Sequence, residues 1–174
     1  MRHVRLLDIY KHQITQKYVR RSGMAHAISV AYHAFHLAKE HNVNPDWAAK
    51  AGFLHDIGHY KWYRDGEWDY QLYRDYDIHP IKGAERAHKL LVRLGEDKQA
   101  AKEIAHAILF HTDSVLPNGD YTLNNLQKVV HLADEKDKKP GDSHHYLKVD
   151  RKKELILIEK LDEKIDLLYE KNEN

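Results

Sequence analysis

The sequence predicts an all-α fold, a single-domain bundle of about six to seven helices, and three observations carry that expectation. Apolar residues recur every three to four positions through most of the chain. Breaks such as Ser22-Gly23, Asn44-Pro45 and Gly95 divide those stretches into helix-sized lengths. No segment alternates apolar and polar residues as a half-buried strand would.

Leu6, Ile9, Tyr10, Ile14 and Tyr18 predict a first helix from about Val4 to Arg20. A second runs from Ala25 to about His41 on Ile28, Ala31, Phe35 and Ala38. Asn44 can cap a third, with Pro45 at its first position, continuing through Leu54. Pro80 opens a fourth helix that reaches Leu94 and stops at Gly95, and Lys98 to Phe110 forms a fifth. Thr122 or Asn124 caps a sixth, ending near Ala133. Asp150 caps a last helix, about 150–171, whose Leu155, Ile158, Leu161, Ile165 and Leu168 make an apolar stripe that offers a surface to a second copy of the chain. Gly58 to His79 and Lys136 to Val149 show no period and read as loops.

Composition narrows the function. The chain has 174 residues, enough for one domain with a real core. Lys and Arg number 28 against 27 Asp and Glu, so no basic excess points to a nucleic-acid duplex. No apolar run approaches the roughly 18 residues of a membrane span, and the charged N-terminus does not read as a signal peptide, so the expected location is cytoplasmic. With no cysteine there is no disulfide, zinc ribbon or thiol nucleophile. Histidine, at 15 residues, is the anomaly.

The strongest local signal is Leu54-His55-Asp56-Ile57-Gly58-His59, where a His-Asp pair ends an apolar helix and Gly58 is expected to stop it. Imidazole and carboxylate together ligate divalent first-row ions. One pair cannot hold an ion alone, and His26, His79, His111 and Asp134 are the candidates to complete a site; all but His26 fall at predicted helix ends.

The order His26, His55-Asp56, Asp134 resembles the HD superfamily of metal-dependent phosphohydrolases. The resemblance is carried by HAISVAYHAFHLAKEHNV, AAKAGFLHDIGH, IHPIKGAERA, AILFHTD and VVHLADE, about residues 24–136. With His79 and His111 the pattern is similar to the two-metal variant, nearest to the HD-type symmetrical diadenosine tetraphosphate hydrolases. It implies one HD-type domain over residues 1–174. It also implies one or two divalent ions (Fe, Mn, Co, Ni or Zn), with His26, His55, Asp56 and Asp134 on one ion and Asp56 bridging to a second held by His79 and His111. Two cations about 3.5–4 Å apart can clamp a phosphoryl oxygen and activate a water, so no protein nucleophile is required. The expected activity is hydrolysis of a phosphoester or phosphoanhydride in a small nucleotide-like substrate. A di-iron oxygenase of the same superfamily and a non-catalytic helical binding protein are the alternatives. The chain departs from the tetraphosphatase pattern after Asp134, where Glu135-Lys136-Asp137-Lys138-Lys139-Pro140 replaces a Glu-Pro-Arg-like signature.

Around this core, His59 is a candidate proton donor beside Asp56. His33 reads as a hydrogen-bonded neighbour of the ligands, His131, three residues before Asp134, as a rival for a ligand position, and His144-His145 as an exposed loop. Between Tyr60 and Tyr76 lie seven of the fourteen Tyr and Trp residues, with Lys61, Arg64 and Arg74 interleaved. That segment reads as a lid that stacks an aromatic base while cations meet phosphate, or as a loop packed by its own aromatics. Lys61, Trp62, Arg64 and Lys82 are the candidate substrate-binding residues, and Lys82 with Arg86 also reads as a surface pair.

Overall fold

A computed structural model of the chain describes residues 2–60, 63–64, 67–137 and 148–173. The described residues form α1 (Leu6–Lys11), α2 (Gln13–Ser22), α3 (Met24–Glu40), α4 (Pro45–Leu54), α5 (Tyr70–Tyr76), α6 (His79–Leu94), α7 (Lys98–Leu109), α8 (Asn125–Lys136) and α9 (Arg151–Glu173). A minimal antiparallel ladder, β1 (Tyr63–Arg64) and β2 (Glu67–Trp68), precedes α5. The all-α expectation holds, with two local corrections. The predicted first helix divides at His12, whose backbone is extended and whose Nδ1 accepts a hydrogen bond from the Ile14 amide. The apolar phase runs through this break, so periodicity could not show it. The segment expected to lack regular structure before His79 contains the ladder and α5, a helix with no buried residue.

Capping explains most other boundaries. Asn44 accepts from the Asp46 and Trp47 amides, Asp97 from Ala100, Asn124 from Gln127 and Asp150 from Lys153. Gly95 ends α6 in the left-handed conformation. The core is continuous through α3, α4, α6, α7, α8 and α9. Ile158, Leu161 and Ile165 of α9 are fully buried in it, so most of the stripe expected to face a second copy packs inside the chain.

Two glycines permit the close approaches that build the site. A Cβ on Gly52 would lie 2.9 Å from the Val30 carbonyl oxygen, which brings α4 tightly against α3. A Cβ on Gly58 would lie 2.0 Å from the His79 carbonyl oxygen and 2.4 Å from the Gly83 nitrogen. Gly58 was expected to stop α4, but α4 already ends at Leu54, and among the described residues the glycines with positive φ are Gly23 and Gly95. Its function is to let the His-Asp turn touch the start of α6.

The N-terminus is locked by charge. Arg2 donates to Asp46 of α4 and to Asp162 and Asp166 of α9, and Asp162 also accepts from the Leu6 and Leu7 amides. Lys50 has no exposed surface and lies between Asp46 at 2.6 Å and Glu96 at 2.5 Å.

Candidate metal centre

Five elements converge at one end of the bundle. His26 comes from the first turn of α3, His55 and Asp56 follow α4, His79 begins α6, His111 follows α7, and Asp134 lies in the last turn of α8. The structure brings all six predicted residues together. Asp56 Oδ2 lies 3.3 Å from His55 Nε2 and 3.7 Å from His26 Nε2. Asp134 Oδ1 completes that group at 3.3 Å from His26 and 3.4 Å from His55. The other Asp56 oxygen, Oδ1, faces His59, His79 and His111 at 3.2, 3.5 and 3.6 Å. One carboxylate therefore presents each oxygen to a different set of nitrogens.

These donors fit a cation. Each of four imidazoles turns Nδ1 towards an oxygen acceptor: His26 to Asp137 (2.6 Å), His55 to the Gly52 carbonyl (2.7 Å), His111 to the Ile108 carbonyl (2.6 Å) and His79 to Asp77. The proton of each neutral ring therefore sits on Nδ1, and the Nε2 lone pair points inward. Those lone pairs meet at 3.2 Å between His26 and His55 and at 3.1 Å between His79 and His111. Facing lone pairs beside two carboxylates need positive charge between them. Among the described residues, the groups that could hold an ion are His26 with His55 and Asp134, His55 with Asp56 and His111, and Asp56 with His59 and His79.

Without an ion, protons supply that charge. Burial opposes ionisation of His55, but Asp56 and Asp134 outweigh it and hold the imidazole well above its ordinary range. Burial likewise opposes charge on His26 and His59, which Asp134 with Asp137 and Asp56 respectively raise. Burial also disfavours the Asp56 and Asp134 carboxylates, yet His55 above all keeps both below their ordinary range. His79 is lowered, burial prevailing over Asp77.

A raised imidazole contributes stability that is complete below the unfolded value near 6.5 and is lost as pH rises through the folded value. The metal-free protein therefore loses stability from about pH 6.5 upward. Metal binding has the opposite sign, because the ion displaces those protons and binds more tightly once they have left. The difference in Tm between Mn²⁺-loaded and metal-free protein should widen from about pH 6 to about pH 8. A constant difference would contradict this arrangement.

Two residues escaped sequence reasoning. Asp137, buried just past α8, accepts from His26 Nδ1 and from the Ser29 hydroxyl. Asp77 accepts from both the side chain and the backbone amide of His79. The available signal was spacing: Asp137 is three residues beyond Asp134, and Asp77 two before His79. Carboxylates that orient metal-binding imidazoles are worth about 10–100-fold in affinity. Asp137→Ala should accordingly weaken Mn²⁺ binding by about tenfold or more, read by calorimetry, while leaving the inward-facing donors in place.

The remaining candidates distribute unevenly. His59 joins the centre and stacks on His79, ring centroids 3.9 Å apart. His131 lies outside it, its Nδ1 donating to the His111 carbonyl at 2.9 Å, and His33 stands 3.7 Å from Asp137. Lys82 does not pair with Arg86 at the surface: its Nζ lies 4.1 Å from the centre of the Tyr60 ring, while Arg86 donates to the Ile57 carbonyl and covers Tyr18. Lys61, Trp62 and the His144-His145 pair lie outside the described residues, as do the side chains of Arg64 and Trp68.

Comparison with known proteins agrees with this geometry. The chain is 60% identical over 166 residues, 95% of its length and 94% of the relative's, to a Bacillus subtilis (strain 168) protein named "Putative phosphohydrolase YueE". No solved structure gives a significant match. The HD domain model matches residues 23–139, a span that opens just before His26 and closes just after Asp137. The chain belongs to the HD domain family.

Proposed function

We infer that the chain is a divalent-metal-dependent phosphohydrolase that cleaves a phosphoester or phosphoanhydride of a small nucleotide-like compound. The observation that carries this reading is Asp56, with its two oxygens facing separate sets of imidazoles. His26, His55, Asp56 and Asp134 would hold one ion, and Asp56, His79 and His111 a second. The Mn, Fe, Co, Ni and Zn ions all suit this donor set. Bound there, the ions supply Lewis-acid charge for a phosphoryl oxygen and lower the pKa of the water that acts as nucleophile.

The protein's own groups do the rest. Asp137, Asp77 and the carbonyls of Gly52 and Ile108 fix the ring orientations, so the donors need little rearrangement. His59 Nε2 holds a proton against Asp56 Oδ1, since Asp56 raises its affinity despite burial, and that proton is available to a leaving oxygen.

Next to the centre is a cavity of about 370 Å³ lined by Tyr70, Gln71, Tyr73, Arg74, Asp77 and Ser114. Tyr73 stacks on His59 and Asp77 holds His79, so two residues of the cavity wall touch the side chains of the centre. Its aromatic wall suits a flat base or sugar carried by the substrate. This supports the lid reading for Tyr73, although Tyr70 and Tyr76 are largely exposed. Lys61, Trp62, Arg64 and Lys82 would meet the phosphate and base of such a substrate.

Incubating the Mn²⁺-, Fe²⁺- or Co²⁺-loaded protein with nucleotides, dinucleotide polyphosphates and simple phosphomonoesters tests the proposal. The expected result is metal-dependent hydrolysis of a nucleotide-like member, with Tyr73→Ala raising KM by about tenfold. No hydrolysis with any ion would refute it.

A further inference from the structure

Positive charge gathers around two tyrosines on one side of the centre. Lys82 Nζ lies over Tyr60, the residue after His59. One turn further along α6 the Arg86 guanidinium sits 3.6 Å from the centre of the Tyr18 ring. Lys17 Nζ and the Arg21 guanidinium of α2 each lie 5.1 Å from that same ring. An aromatic face attracts a cation, but three cations around one ring also repel each other. Among the described residues, no carboxylate lies within 4.0 Å of the charged nitrogens of Lys17, Arg21, Lys82 or Arg86. Glu85, between the two α6 cations in sequence, pairs with Lys89 instead, and Arg20 is taken by Glu154. Burial pulls the Arg86 guanidinium below its ordinary range; Tyr18 opposes that, and Arg21 adds to it.

The cluster is joined to the centre. Arg86 donates to the carbonyl of Ile57, the residue after Asp56. His79, Lys82 and Arg86 follow one face of α6 at i, i+3 and i+7, so the line leaves a candidate ligand and extends about 10 Å along the helix. Cations fixed by aromatic packing, with no carboxylate partner among the described residues, form a ready receptor for phosphate oxygens.

We propose that Lys17, Arg21, Lys82 and Arg86 form an anion subsite beside the metal centre that receives the further phosphates of a substrate carrying a phosphate chain. The identity of the occupant as substrate rests on the phosphohydrolase reading; the existence of the subsite does not. Tyr18 and Tyr60 hold its cations in place, and Lys17 and Arg21 are its exposed outer members.

Calorimetric titration of the metal-free protein with inorganic tripolyphosphate at low salt tests the subsite. The double variant Lys17→Ala/Arg21→Ala removes two exposed cations without touching the core, and binding should weaken by at least about tenfold. Lys98→Ala/Lys102→Ala, two exposed cations on α7, should leave it unchanged. No binding by the unaltered protein, or equal weakening in both double variants, would overturn the proposal. Because turnover is not measured, a protein that binds tripolyphosphate but hydrolyses nothing retains the subsite and loses the phosphohydrolase reading. One that hydrolyses nucleotides without binding tripolyphosphate does the reverse.

Discussion

Asp56→Asn should lower metal-dependent turnover by on the order of 10³-fold or more, measured at saturating Mn²⁺ on whichever nucleotide the wild type cleaves. The size follows from its position. Among the described residues, Asp56 is the one whose two oxygens face both groups of imidazoles, at 3.3 Å from His55 and 3.2 Å from His59. An amide keeps the shape, removes the charge and turns one of those two atoms into a donor. Both ion positions are damaged together. Among the described imidazoles the Asp134 carboxylate faces His26 and His55, so Asp134→Asn should cost less. Equal losses in the two variants would argue against a shared carboxylate.

The largest effect on stability should come from a residue remote from catalysis. Lys50→Ala should destabilise the fold by about 3–5 kcal/mol, read by urea unfolding of the metal-free protein. Lys50 is fully buried, and its ammonium separates Asp46 from Glu96. Removing it leaves two desolvated carboxylates with one fewer cation; Arg2 reaches Asp46 but no hydrogen bond joins it to Glu96. A loss of that size is a large share of the roughly 5–15 kcal/mol that holds a domain folded. Lys89→Ala provides the contrast, since the Lys89–Glu85 pair has the same i,i+4 spacing on an exposed face and should leave the midpoint unchanged. A small effect at Lys50 would mean that water reaches the network.

That comparison shows where sequence reading stops. Asp46 and Lys50 have the same i,i+4 spacing in the sequence as Glu85 and Lys89. Only the packing of Glu96 and Arg2 against α4 distinguishes them, and no local pattern encodes it. The site was legible for a different reason. His55-Asp56, His79, His111 and Asp134 lie at helix ends, where side chains can converge, and their chemistry is uncommon enough to stand out. Asp77 and Asp137 were not legible, because a carboxylate that orients an imidazole looks like any surface acid until the ring it faces is placed. The helix boundaries followed from Asn44, Asn124, Gly95 and Asp150, which act within a few residues of themselves. The break at His12 and helix α5 have no such signature: one interrupts a continuous apolar phase, and the other has no fully buried residue.

The central claim is that one carboxylate joins two cation positions. Titrating metal-free protein with Mn²⁺ while recording its electron paramagnetic resonance spectrum tests this most directly. The arrangement predicts two ions per chain with the signal of an exchange-coupled pair, and loss of that coupling in Asp56→Asn. A single ion with the six-line signal of isolated Mn²⁺, or a coupled pair that survives in Asp56→Asn, would contradict it.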